Sequence, residues 1–198
     1  MVKKLFYFLL AITLLIAIYL TIFEFLLSNF HSPFNSEIKE PTAHNATWIY
    51  LLKQHYITFI EIDLFNIHEK RHLLDVKRVL DRTYSIWITL LSLTLLILII
   101  SFIKNWIKKL LQYVVVIGTT INIFLTLLSL NFLNSFNLFH SLFFAQNSWS
   151  FPNNSILIEC FPLLYFQEFF LFFLILSFLI FILLNFYVKI TNENFNNR

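Results

Sequence analysis

Glycine is almost missing from this chain of 198 residues: Gly118 is the single copy. Phosphate-binding loops of the P-loop or dinucleotide type need several backbone positions at positive φ, which glycine adopts readily, so nucleotide chemistry is not expected. Cysteine is as scarce. Cys160 alone cannot close an intrachain disulfide, and its neighbours Ile158 and Phe161 predict a buried, inert thiol. Charge is thin as well: Asp, Glu, Lys and Arg make up 13% of the chain, against about 25% in an average soluble domain. The net charge of +3 is small, and no basic run is interleaved with aromatics in the manner of a phosphate-backbone binder. Neither nucleic acid nor a nucleotide is expected as a partner.

Hydrophobic residues fill the space, at 59% of the chain, and a membrane protein is the default reading. Apolar runs predict four transmembrane helices, over about 5–27, 86–103, 110–133 and 165–188. At about 1.5 Å per residue each is long enough to cross a hydrocarbon core. The first run has no small-x-small cleavage site and ends Phe25-Leu26-Leu27-Ser28-Asn29-Phe30, so it reads as a retained anchor. No lipobox cysteine follows it, so the chain is not expected to be a lipoprotein itself. The fold class is therefore an all-α membrane protein, a single integral membrane domain over 1–198 with polar segments at 28–84 and 134–164.

Pro33 and Pro41 keep the start of the first polar segment irregular, Thr47 to Tyr56 has the periodicity of a short helix, and Ile60, Ile62 and Leu64 alternate with Glu61 and Asp63 as in a short strand. Asn45-Ala46-Thr47 has the glycosylation pattern, which matters only in a eukaryotic secretory route. Lys104, Lys108 and Lys109 crowd the turn between spans two and three, the second polar segment has no Lys or Arg, and Lys3 and Lys4 open the chain. The positive-inside rule then puts both termini in the cytoplasm and both polar segments outside. Lys77, Arg78 and Arg82 near the outer end of span two count against this, with Asp75 and Asp81 interleaved among them.

One polar stretch, Asn66 to Tyr84, stands out. Asn66 and Glu69 form a capping box, which predicts a helix starting there and running on into span two. Along it His72, Val76, Val79, Leu80 and Thr83 share one side, while Lys77, Arg78, Asp81 and Arg82 share the other. His68-Glu69-x-x-His72 also has the H-E-x-x-H spacing that presents two imidazoles to one zinc, with the glutamate as base and Glu159, Glu168 or His140 available as a third ligand. Against that, Glu69 is accounted for as the cap. In the second segment His140 lies among large apolar residues, where desolvation favours the neutral imidazole that can act as a base. Three readings stand side by side: a zinc site, half of an acid–base pair, or a solvated helix start in which His72 bonds Asp75 and His140 bonds a carbonyl.

Glu69-Lys70-Arg71-His72-Leu73-Leu74-Asp75-Val76-Lys77 resembles the E-x-x-H-M-x-D-V-K signature of the lipoprotein intramolecular transacylase family, bacterial proteins of four spans. The second segment is similar in order and spacing to that family's F-H-x-x-F-F, W-x-x-P and F-P, here Phe139 to Phe144, Trp149 to Pro152 and Phe161-Pro162. Leu73 stands where the family pattern has Met, Leu163 follows the proline where an acid is common, and His68 is an additional histidine. The resemblance implies an enzyme of the bacterial cytoplasmic membrane that moves the sn-2 acyl chain of an S-diacylglyceryl-cysteine lipoprotein onto that cysteine's α-amino group. It implies membrane lipid as surroundings, no cofactor and no metal.

An ester becomes a more stable amide within one molecule, so neither ATP nor an acyl carrier is required, and holding donor and acceptor together can supply roughly 7–11 kcal/mol of the barrier. Proton transfer by His72 and His140 is the remaining work, with Asp75 orienting His72 and Arg71 or Lys77 available to an oxyanion or a lipid headgroup. Ser141 beside His140 has no nucleophile elbow around it. The alternatives are a zinc-dependent membrane hydrolase using His68, Glu69 and His72, and a non-catalytic lipid-binding or assembly subunit. Oligomeric state is not encoded in anything the sequence shows.

Overall fold

The computed structural model describes residues 2–34, 37–52 and 64–196. Their elements are α1 (Val2–Asn29), α2 (Pro41–Leu52), α3 (Ile67–Ile103), α4 (Ile107–Ser129), α5 (Phe132–Phe143), α6 (Ile156–Cys160) and α7 (Leu163–Asn196). No strand occurs among the described residues; of the alternating stretch, Ile60 to Asp63 lie outside them and Leu64 sits in a turn. Four helices are long and apolar enough to cross a membrane, within Lys4–Asn29, Ile67–Ile103, Ile107–Ser129 and Leu163–Thr191, as an all-α membrane fold requires.

Local chemistry explains where these helices start and stop. The 37 residues of α3 measure about 55 Å at about 1.5 Å per residue, well beyond a hydrocarbon core of about 30 Å. We take its apolar portion, 86–103, as the span; the part before Tyr84 is the polar stretch that opens at the Asn66 cap. The third span ends earlier than the apolar run implies. Hydrophobicity continues to Leu133, but α4 stops at Ser129, because Asn131 caps a new helix by accepting from the Asn134 N–H at 3.4 Å. Much of the second polar segment is thus helix α5. Between α3 and α4 the chain turns at Asn105, whose φ of 58° lies in the left-handed region that asparagine tolerates better than most residues.

The chain divides into two compact units, each drawing on several helices. One comprises Met1–Phe25, Ser85–Leu127 and Phe172–Arg198 and contains the greater part of each span. Its core is Ala11, Leu14, Leu15, Ile97, Leu110, Val114 and Phe181. Gly118 is where backbone must come close: a Cβ there would stand 2.4 Å from the Phe181 ring and 2.8 Å from Leu15. Some of its polar groups are joined across helices, with Tyr19 Oη and Ser177 Oγ both donating to Asn122 Oδ1, at 2.9 and 3.1 Å. Leu95, Phe102, Ile182 and Leu183 are more than half exposed, a face suited to lipid rather than water.

The other unit comprises Leu26–Tyr84 and Leu128–Leu171. It buries histidine, glutamate and threonine side chains and ties its segments with specific hydrogen bonds. Tyr165 Oη donates to the Phe30 carbonyl at 2.8 Å and the Phe34 N–H donates to Glu168 Oε2 at 2.6 Å. His44 of α2 is 1% exposed, and its Nδ1 donates to the Cys160 carbonyl at 2.9 Å. Lys77 Nζ reaches the Leu51 carbonyl at the end of α2, 3.5 Å away, and lies 5.5 Å from the centre of the Tyr50 ring.

Candidate active site

His72 and His140 come from different segments of one unit, and their rings lie 6.1 Å apart, tilted by 29°. Helix α3 supplies the first and α5 the second. Both are buried, at 7% and 8% exposure. Aromatic rings enclose them: Phe144 stands 4.9 Å from His72 and 5.4 Å from His140, Phe151 is 5.6 Å from His72, and Phe136 and Trp149 are 4.0 and 5.0 Å from His140. All but the Phe136–His140 distance are those of ordinary edge and offset ring packing, and that pair is closer. The pair therefore sits in an apolar box with few groups able to solvate charge.

A hydrogen bond fixes the tautomer of one ring. His140 Nδ1 donates to the Phe136 carbonyl one turn back in α5, at 2.9 Å, which leaves Nε2 with the lone pair of the neutral ring. Burial lowers the His140 pKa from its ordinary 6.5, opposed by that backbone hydrogen bond. Burial also lowers His72, down to about 4, with the neighbouring His140 adding to the effect and Asp75 opposing it. Both imidazoles are neutral at pH 7. His72 Nδ1 is buried with no hydrogen-bond partner, an open position of the kind a bound substrate can satisfy.

Glu69 sets the turn of α3 that carries His72. Its Oε2 accepts from the Asn66 N–H at 2.8 Å, and Asn66 Oδ1 accepts in return from the Glu69 N–H at 3.0 Å, completing the capping box. The other oxygen does something the sequence did not reveal. Glu69 Oε1 accepts from the Leu157 N–H at the start of α6, at 3.1 Å, and so fastens the second polar segment to the head of α3. The residue is 1% exposed, with both oxygens committed to backbone donors. A zinc-site glutamate needs a free carboxylate to take a proton from water, and H-E-x-x-H needs its histidines on one face. Here His68 is exposed while His72 is buried.

The remaining site residues that the sequence points to are distributed around this pair. Arg71 is exposed next to His72. Asp75 accepts from the Arg78 guanidinium at 3.1 Å, with no hydrogen bond to His72, so its influence on that ring is through space. Lys77 is engaged at α2 and lies 3.7 Å from Asp81. Leu73, where the family signature has Met, is core at 3% exposure. Phe136 was missed; its signal is the i, i+4 spacing to His140, which has meaning only once α5 is known to be a helix. Cys160 is fully buried, its thiol pushed up to about 12 by burial, with the carboxylates of Glu40, Glu69 and Glu159 adding to the shift.

Comparison with known proteins bears on the whole arrangement. Two in meso structures of the membrane integral lipoprotein intramolecular transacylase Lit from Bacillus cereus have the same fold. One is 21% identical, with a TM-score of 0.63 over 94% of this chain and 92% of that one. The other, carrying a histidine-to-arginine substitution, is 19% identical, with a TM-score of 0.66 over 97% and 96%. No curated protein matches the chain in sequence. The family model for lipoprotein intramolecular transacylase Lit matches residues 1–166, and so takes in both histidines, the capping glutamate and the segment it fastens. This chain, multi-pass and with an acyltransferase-type activity, belongs to the lipoprotein intramolecular transacylase family.

Proposed function

We propose that the enzyme transfers the sn-2 acyl chain of an S-diacylglyceryl-cysteine to the α-amino group of the same cysteine, leaving an N-acyl, S-monoacylglyceryl lipoprotein. The amine nitrogen attacks the ester carbonyl carbon, a C–N bond forms, and the bond from that carbon to the glyceryl oxygen breaks. One proton leaves nitrogen and one reaches oxygen, so the balance closes without any second reactant. The observation that carries this reading is the pair of buried, neutral imidazoles in an aromatic box, one with a free Nε2 and the other with an unpartnered Nδ1.

We assign the base to His140, because its tautomer is fixed with Nε2 open. His72 acts second: the proton that His140 takes from the amine passes to it, and the burial that lowers its pKa to about 4 makes the resulting cation a ready donor to the departing alkoxide. Delivery of that proton to the glyceryl oxygen leaves both rings neutral, as they began. Arg71, exposed beside His72, would meet the polar part of the substrate, and Lys104, Lys108 and Lys109 support, by the positive-inside rule, cytoplasmic termini and an outward-facing pair. Membrane lipid surrounds the acyl chains during the transfer.

Mass spectrometry of a lipoprotein N-terminus tests the reading. A host without other N-acylating activity is given this chain and a diacylglyceryl-modified lipoprotein. N-acylated, lyso product is expected; an N-terminus that keeps both glyceryl acyl chains and a free amine would end the proposal.

A further inference from the structure

A second feature lies against the histidine pair. A cleft of about 390 Å³, within the usual size range of small-ligand sites, is walled by Asn66, His68 and Arg71 on one side and by the 147–152 stretch on the other. Most of its wall is apolar, but unlike the histidine box it also gathers several polar side chains. A guanidinium, an imidazole, amides and the Ser148 and Ser150 hydroxyls face it, and among the described residues no carboxylate lines it. Asn147, in the turn after α5, adopts a φ of 64°, and Ser148 Oγ closes that turn by donating to the Ala145 carbonyl at 2.8 Å. The wall is therefore a built turn. Phe151 belongs to both places: it lines the cleft, and its ring stands 5.6 Å from His72, the residue that follows Arg71.

We propose that this cleft receives the polypeptide that follows the lipidated cysteine, and that Arg71 makes it favour substrates with an acidic side chain in the first residues after that cysteine. The inference rests on the transacylase reading and adds a substrate preference to it. In the reacting cysteine the amine and the start of the polypeptide share one α-carbon. With the amine at the imidazoles, the next two or three residues extend by about 3.3–3.6 Å each, enough to pass Phe151 and enter the cleft. Its apolar wall accommodates the carbon skeleton of a peptide, and its guanidinium, amides and hydroxyls offer donors that peptide carbonyls and a carboxylate can use and an acyl chain cannot. A lipid phosphate would also suit a guanidinium, and the two occupants differ in what they predict.

The test uses membranes containing the full chain and three synthetic S-diacylglyceryl-cysteinyl peptides that differ only in the second residue after the cysteine: Asp, Ser or Lys. Competing conversion is read by mass spectrometry. The wild type is expected to favour Asp over Lys by about three- to five-fold, the range of a partly exposed ion pair. Arg71→Gln should erase the preference and Arg71→Glu should invert it. Equal conversion of all three peptides by the wild type would overturn the inference and leave the transacylase reading standing. So would a uniform loss of rate in both variants at an unchanged ratio, the pattern of a headgroup contact. Conversion of none would remove the transacylase reading, and this inference with it.

Discussion

Two corners of one unit bury histidines among aromatic rings, and they differ in what the ring nitrogens meet. His44 packs 4.7 Å from the Phe161 ring and near Trp48 and Tyr165. Its Nδ1 donates to the Cys160 carbonyl, and its Nε2 lies 2.6 Å from the His31 carbonyl and 3.0 Å from Trp48 Nε1, an acceptor and a donor at the same position. Nothing is left for a substrate. At His72 and His140 the rings are also buried and walled by aromatics, though less completely than His44, yet Nδ1 of one has no partner and Nε2 of the other is free of the carbonyl that holds Nδ1. Burial and aromatic lining are common to both corners. Unused hydrogen-bonding capacity belongs to one, and it separates a site from a joint.

The largest test of that distinction is removal of the open rings. Alanine at His140 or at His72 should lower the initial rate of conversion by about 10²- to 10⁴-fold, the usual worth of a placed acid or base, while the protein still folds. A variant that kept a tenth of the rate would take its residue out of the chemistry and weaken the contrast with His44.

The converse substitution, His44→Ala, should act on stability. Losing a buried ring and leaving the Cys160 carbonyl unpaired should cost about 2–4 kcal/mol, a fall in melting temperature of about 5–15 °C for a chain of this size, with turnover per folded molecule unchanged. Loss of turnover in a protein that melts normally would break the comparison. Acid should then distinguish the corners more gently. The folded His72 ring stays neutral down to about 4, whereas the unfolded ring takes up a proton near 6.5. The unfolded state thus binds more protons between those values, so stability is full above pH 6.5 and declines as pH falls toward 4. Melting curves should show the decline, and His72→Phe should flatten it.

The smallest effect concerns Cys160, next to the closed corner. With its thiol buried and pushed up to about 12, a maleimide at pH 7.5 should label it only after unfolding. Rapid labelling of the folded protein would show that the His44 corner opens.

Much of this was legible because it is local. Apolar runs gave the four spans, and the Asn66–Glu69 spacing gave the start of α3, since a capping box is closed by residues three apart. The two signature motifs pointed to His72 and His140. What stayed hidden depends on contacts between distant segments. Glu69 meets Leu157 across 88 residues, and His44 meets Cys160 across 116, so no periodicity records either. The end of α4 was hidden for another reason: apolar residues continue past it, and the break is made by one asparagine side chain. The Asp75–Arg78 pair, three apart on α3, was within reach of charge spacing, whereas the reach of Lys77 to α2 was not, because it joins segments 26 residues apart.

Glu69 couples two events that a chain could otherwise complete separately. Its carboxylate stops the first turn of α3 from fraying and also holds the 156–160 segment, so losing one oxygen's partner loosens the anchor of the other. The turn that presents His72 is then firm only once the second polar segment has arrived, and that segment brings His140 with it. A partly assembled chain would have a frayed helix where His72 should be held. Completion of the fold is thereby the event that fixes both histidines together.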